Sequence, residues 1–361
     1  MKHLLVDISA HGFGHLAQTA AVLNALDTEH LRLTLRSLAP EGVLRERIKH
    51  PFELIPYQQD NGVIMHDALR VDAQASMDWY STFHADYSQR KQRAVAELES
   101  LQPDLLFADV PYLSLDAAGE CAVPALALCS LNWADIFQHY CGHFPGAARI
   151  HQQILQAYAQ ADLFLQATPS MPMTTLSNTR AVAPVALYGE KQPELLQQKT
   201  ACAAGTRFVL VALGGIGIDY PLADWPRLEK VCWIFPDQAL TLLRDDFFPQ
   251  SLFGLDYVDL LSSSDLVLTK TGYGTQTEAV VNQVPAVCVR RDGWPEQPCL
   301  FDWHRQHGEV SFIRWDDIED GSFVADVEQA FALSWSKPAV LPQGAGEVAG
   351  IIGQYLYQLP E

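Results

Sequence analysis

Three glycine-bearing turns carry the residues whose types suggest chemistry. The first is His11-Gly12-Phe13-Gly14-His15-Leu16-Ala17, which fits the loose pattern G-x-G-x-x-A. Gly12 and Gly14 allow a tight turn and close backbone approach, and a helix starting there offers free N–H donors to an anion. His15 sits on the first helical turn, and an imidazole there is suited to general-base chemistry near neutrality. Its bland alternative is packing against a neighbouring loop. The second turn, Gly214-Gly215-Ile216-Gly217, presents backbone N–H groups to a phosphate or is an ordinary glycine-rich turn.

The third stretch, from Lys270 through Gly272, Gly274, Thr275 and Glu278, is the most informative. A strand gives way to a glycine turn and then a helix, where a diphosphate is favoured by the helix N-terminus. Glu278 lies one turn beyond Thr275 on the same face, placed to accept two hydrogen bonds from a ribose diol. It could equally serve as the capping-box partner of Thr275. The next strand ends in Arg290-Arg291-Asp292, a phosphate or carboxylate site unless the arginines pair with Asp292 or Glu296. Glu296 and Gln297 are placed to hydrogen-bond sugar hydroxyls.

The elements that must position these turns alternate short apolar runs with longer amphipathic stretches. Strands are expected at 4–8, 31–35, 105–108 and 125–129, then again at 208–213, 231–235, 265–268, 286–289 and 310–313. Helices are expected at 15–26 and 114–121. Such alternation argues for parallel, doubly wound sheets. Residues 57–80 fit no clean period and read as a long functional loop. The polar, strand-free stretch 189–206 reads as a boundary and hinge. The expected organisation is an acceptor half at 1–190, a donor half at 205–345, and a last helix at 346–361 crossing back to the first half. Ligands of these sheets lie beyond the strands' carboxyl ends, so the site belongs in a cleft between two facing Rossmann-like halves.

Composition narrows the classes. With 361 residues, 48% of them hydrophobic, the chain suits two domains of about 150 residues each. No apolar run reaches membrane-spanning length. The start Met1-Lys2-His3 enters a short strand directly, so a cytoplasmic protein is expected. A net charge of −19 lacks the basic footprint of a nucleic-acid binder and leaves any phosphate site to local donors. The seven cysteines, Cys121, Cys129, Cys141, Cys202, Cys232, Cys288 and Cys299, form no C-x-x-C and read as reduced thiols. His139, Cys141 and His143 look like metal ligands but lack a completing cluster, so no metal is expected. His304 and His307 read as surface residues. Arg36-Ser37 stand where a dinucleotide fold needs an acid, which disfavours NAD. No Asp-x-Asp, G-x-S-x-G or Walker A motif occurs.

At these residues the chain resembles the glycosyltransferase-like N-terminal region of plant L-arabinokinases. The likeness runs from Gly12–His15 through Asp72, Asp109, Trp133 and Asp135, then 169–172, 270–292 and 346–349. No kinase segment accompanies it, so kinase activity is not implied. More distantly, the spacing of Gly272, Thr275, Glu278, Glu296 and Gln297 is similar to the donor half of the MurG transferases. The resemblance implies the GT-B fold and a transferase using a nucleotide-diphosphate sugar, with uridine favoured and no cofactor or metal. It makes Glu278 a ribose ligand and puts Gly214, Gly215, Gly272 and Thr275 at the diphosphate. His15 becomes the base, with Asp109 orienting it or binding acceptor. Gly12, Gly14, Asp72, Trp133 and Asp135 fall on the acceptor side. The Gly-x-Gly-His start also resembles the hydrolase of pseudaminic acid synthesis, which leaves hydrolysis or epimerisation open. A non-catalytic sugar-nucleotide binder is the third reading.

Overall fold

A computed structural model describes the chain except Ala10, residues 215–217, residues 358–361 and the side chain of Phe13. Gly215 therefore lies outside the described residues. The first sheet is wholly parallel, in the order β3-β2-β1-β4-β5-β6-β7. Its strands are β1 (Lys2–Ile8), β2 (Leu31–Arg36), β3 (Glu53–Ile55), β4 (Leu105–Asp109), β5 (Ala125–Cys129), β6 (Leu163–Ala167) and β7 (Thr179–Val182). The helices between them are α1 (Phe13–Asn24), α2 (Glu41–Arg47), α3 (Ala73–Ala85), α4 (Tyr87–Leu101), α5 (Leu113–Glu120), α6 (Trp133–Cys141) and α7 (Ala147–Tyr158). Strand alternation feeds two separate cores: Leu5 faces one, with Tyr80 and Phe137, while Leu4, Val6 and Ile8 face the other, with Leu16 and Leu23. Covered on both faces, β4 and β5 are buried at every position.

The helix α8 (Pro193–Thr200) leads to the second parallel sheet, ordered β10-β9-β8-β11-β12-β13. It comprises β8 (Arg207–Ala212), β9 (Val231–Phe235), β10 (Phe247–Pro249), β11 (Leu266–Lys270), β12 (Ala286–Val289) and β13 (Val310–Ile313). Its helices are α9 (Tyr257–Ser263), α10 (Tyr273–Val281), α11 (Gln297–His307), α12 (Trp315–Glu319) and α13 (Val324–Ala332). The last helix, α14 (Gly344–Tyr357), puts Ala345, Val348, Ile351 and Ile352 into the core of the first sheet, beside α1. Among the described residues no helix is long and apolar enough to cross a membrane.

Several sequence expectations shift. The stretch 189–206 contains α8, because Leu196 is buried in the second half's core. It is tied to that half by Gly189 N–H to Asn282 Oδ1 and Gln192 N–H to Ser263 Oγ, each 2.8 Å. The loop ends earlier than expected: Asp72 caps α3 by accepting from the Ala75 N–H at 2.9 Å. Upstream, Met65 and Val71 bridge, and Leu69 packs against the second half's core, so the loop crosses the cleft. His304 is fully buried, not on the surface, with Nδ1 3.2 Å from Gln276 Nε2. Arg36 is buried and bidentate to Asp7 at 2.6 and 2.7 Å, so it stabilises the β1–β2 pair. All seven cysteines are free, although the Cys202 and Cys232 sulfurs lie 3.3 Å apart.

Candidate functional site

Strand order fixes where the site falls. The first sheet reverses between β1 and β4, the second between β8 and β11, and each reversal opens a crevice at the strands' carboxyl ends. Loops from both crevices line one cavity, with Gly12, Gly14 and His15 on one wall and Gly214, Lys270, Gly272 and Glu278 on the other. Helices α1 and α10 pack together and begin at this cavity. Neither has a side-chain cap, because Gly12 and Gly272 hold the capping positions. Their first-turn N–H groups are donors of the kind that suit an anion.

On the first wall, His15 is 6% exposed and its Nδ1 lies 2.8 Å from Asp109 Oδ1. The other Asp109 oxygen accepts from Thr19 Oγ1 at 3.1 Å. Burial raises the Asp109 carboxyl's pKa, while His15 and Thr19 oppose that rise. Cys129 Sγ sits 3.6 Å from the same ring nitrogen, and His15, Asp109 and Cys129 form the kind of trio that can hold a metal ion. Asp109, bonded to His15 through one oxygen and to Thr19 through the other, fixes the orientation of the imidazole. Trp133 does not line the cavity but backs both histidines, with its ring 5.7 Å from that of His15 and 5.0 Å from that of His11. His11 is driven to a pKa of about 3 by burial, then by the charges of His15, Arg291 and Lys270, so it is neutral at pH 7. Gln18 Oε1 is buried with no partner among the described residues.

On the second wall, Glu278 is buried in the cavity lining, and burial lifts its pKa to about 7 against the opposing charge of Arg47. It is no capping-box partner: Thr275 lies inside α10, and its hydroxyl is 2.9 Å from Tyr257 OH. Tyr257, Gln250, Gln238 and Pro236 continue the wall beyond Glu278. Arg47, from α2 of the other half, closes it by lying 5.5 Å from the Tyr257 ring centroid. At Gly214 the backbone has φ +102°, a conformation that favours glycine, and a Cβ there would stand 2.7 Å from Lys270 Cε. Burial, then the charge of Arg291, lowers the Lys270 pKa to about 7. At Gly274 α10 lies close to α1, where a Cβ would make ordinary contact with Ala17 Cβ at 3.8 Å.

The paired arginines separate. Arg290 is exposed and bonded to Asp292 at 3.1 Å, outside the cavity lining. Arg291 is buried in the lining, its guanidinium 3.9 Å from the Trp294 ring centroid. Glu296 reaches the cavity, but both its oxygens are held, by Ser130 Oγ at 2.6 Å and Trp294 Nε1 at 3.0 Å. Gln297 braces the turns, accepting from Thr271 Oγ1 and from the Arg291 N–H at 2.6 Å. Asp135 is outside the lining, bonded to Asn132 at the start of α6. Sequence reading assigned no role to Lys270, Arg47, His11 or Tyr257. Lys270 alone carried a signal, as the last residue of a strand at the ligand edge.

No family model matches the chain. L-Arabinokinase of Arabidopsis thaliana is 26% identical over 319 residues, covering 83% of this chain and 29% of that protein. The chain thus spans under a third of that relative's length. Among solved structures, the calicheamicin glycosyltransferase CalG4 superposes with a TM-score of 0.64 at 16% identity over all of both chains. The spinosyn rhamnosyltransferase SpnG complexed with thymidine diphosphate gives 0.59 at 14%, covering 100% of this chain and 97% of that one. MurG of Acinetobacter baumannii gives 0.55 at 14%, covering 98% and 100%. The chain has the GT-B fold.

Proposed function

We propose that the protein is a glycosyltransferase that takes a nucleotide-diphosphate sugar and works without a metal ion. The observation that carries this reading is the opposition, across one cavity, of the Asp109–His15 pair and the uncapped start of α10 with Glu278. Glu278 receives the ribose diol, with the base toward Tyr257. The diphosphate lies at the N-terminus of α10, beside Gly214 and Lys270. Uridine is the base that the resemblance to the MurG and arabinokinase families favours.

With Nδ1 held by Asp109, His15 has Nε2 for the acceptor hydroxyl. Asp109 keeps the ring proton on Nδ1 and steadies the imidazolium that forms when His15 takes the hydroxyl proton. The acceptor oxygen attacks the anomeric carbon as the bond to the diphosphate breaks. Charge then builds on the departing diphosphate, where Lys270 and the α10 N–H groups stabilise it, in the role a divalent ion would otherwise fill. SpnG has been solved complexed with thymidine diphosphate and, in another structure, complexed with spinosyn aglycone. A donor and a separate acceptor are proposed here by the same division.

Product analysis tests the reaction class. Transfer requires that nucleoside diphosphate release depend on an added acceptor alcohol. Free sugar appearing at full turnover without acceptor would make the protein a hydrolase on this scaffold, and a bound but unconsumed donor would make it a binding protein.

A further inference from the structure

None of the seven cysteines lines the cavity, yet two of them meet. Cys232, on β9, belongs to the core on one face of the second sheet, with Leu196, Phe208 and Ile234. The half-buried Cys202 packs against the same core. Their sulfurs lie 3.3 Å apart, although the residues are 30 positions apart in the chain. Among the described residues no other two cysteine sulfurs are in contact.

The backbone is held on both sides of this contact. Cys232 is paired in register with Phe208 of β8. Cys202 follows α8, where Gln197 Nε2 donates to the Cys202 carbonyl and, at 2.9 Å, to the Ala203 carbonyl. The Arg207 N–H then donates to the Lys230 carbonyl at 2.8 Å, which returns the chain to β9. The two sulfurs therefore meet because two fixed segments meet. The sulfurs of a disulfide lie about 2.05 Å apart, so bonding asks them to close by about 1 Å. Burial, then the contact with Cys202, raises the Cys232 pKa and keeps that thiol protonated. Cys232 is 4% exposed, so a solvent oxidant reaches Cys202 first.

We propose that Cys202 and Cys232 are a redox-sensitive dithiol that a peroxide converts to an intramolecular disulfide. The Cys202 thiolate attacks one oxygen of hydrogen peroxide, and the O–O bond breaks. Cys202 becomes a sulfenic acid, while the departing hydroxide and the proton that Cys202 lost make one water. The Cys232 sulfur then attacks the Cys202 sulfur, and its proton leaves with the hydroxyl as a second water. Two thiols lose two electrons and two protons, and one peroxide becomes two waters. The bond fastens the segment that follows α8 to β9, the strand that runs on to Pro236 and Gln238 in the cavity wall. By closing a loop it should stabilise the fold through the unfolded chain. A small dithiol reverses it.

The test treats the folded protein with hydrogen peroxide at pH 7, alkylates the remaining thiols and maps linked peptides by mass spectrometry without reductant. The expected result is loss of two of the seven thiols and one Cys202–Cys232 linked peptide. Dithiothreitol should restore both thiols, and the oxidised form should have a higher urea midpoint than the reduced one. Cys202→Ser and Cys232→Ala should each abolish the linked peptide and the rise in midpoint. Cys202→Ser, at the half-buried position, decides the matter if Cys232→Ala does not fold. Seven free thiols after peroxide would overturn the proposal. So would Cys202 carried on to a sulfinic acid without a link, or links made through other cysteines. An oxidised form with an unchanged or lower midpoint would also overturn it, because the bond would then not fit the native fold. None of these outcomes depends on what the cavity binds.

Discussion

The Ser130 hydroxyl donates a 2.6 Å hydrogen bond to Glu296 Oε1 across the cleft, joining the loop after β5 to the start of α11. Both groups are buried, so the bond is shielded from water. Ser130→Ala should leave a buried carboxylate oxygen unpaired and lower stability by about 1.5–3 kcal/mol. Urea unfolding at pH 7 reads this as a fall in the midpoint. An unchanged midpoint would mean the two halves are held elsewhere.

The Asp109–His15 geometry separates catalysis from binding. His15→Ala should cut kcat by about a hundred- to ten-thousandfold. Asp109→Asn should also lower kcat, because the amide no longer fixes the Nδ1 proton. Nucleotide affinity, measured by calorimetry, should move much less than kcat in both. Full turnover in His15→Ala would take the base role away from it.

Two groups on the donor wall titrate near neutrality, in opposite senses. Burial lifts Glu278 to about 7, so below that pH it is a neutral acid and a poorer acceptor for a ribose diol. Burial lowers Lys270 to about 7, so above that pH it is uncharged and a poorer partner for a diphosphate. Donor affinity should peak near pH 7 and fall on both sides. Glu278→Gln should remove the acid-side fall, and Lys270→Met the alkaline-side fall. Affinity flat from pH 5 to 9 in the unaltered protein would show that neither group touches the donor.

Much of this scaffold was legible in the sequence. Strands at 125–129, 231–235 and 286–289 fall where short apolar runs put them, because buried parallel strands carry that pattern along their whole length. The placement of Glu278, Gly272 and His15 at one cavity followed from their strand-to-helix turns. The misreadings have one physical source, which is that a polar side chain's partner is not written beside it. Asp72 and Asp135 look the same in sequence whether they bind a ligand or serve the start of a helix. Arg290 and Arg291 are neighbours, yet one pairs with Asp292 in solvent and the other enters the cavity. The burial of His304 depends on Gln276, on another helix. Arg47 joins the donor wall from a helix more than 200 residues away in the chain, a distance no local pattern spans.

The most direct test of the central claim is calorimetric titration of the purified protein with UDP, TDP, GDP, ADP and NAD. It should be run with and without EDTA, and repeated on Glu278→Ala. The account predicts saturable binding of one nucleoside diphosphate, unaffected by the chelator. Glu278→Ala should weaken that binding about tenfold or more, the worth of one hydrogen bond to a charged group. Failure of every nucleoside diphosphate to bind would contradict the account and leave the glycine turns as structural features alone.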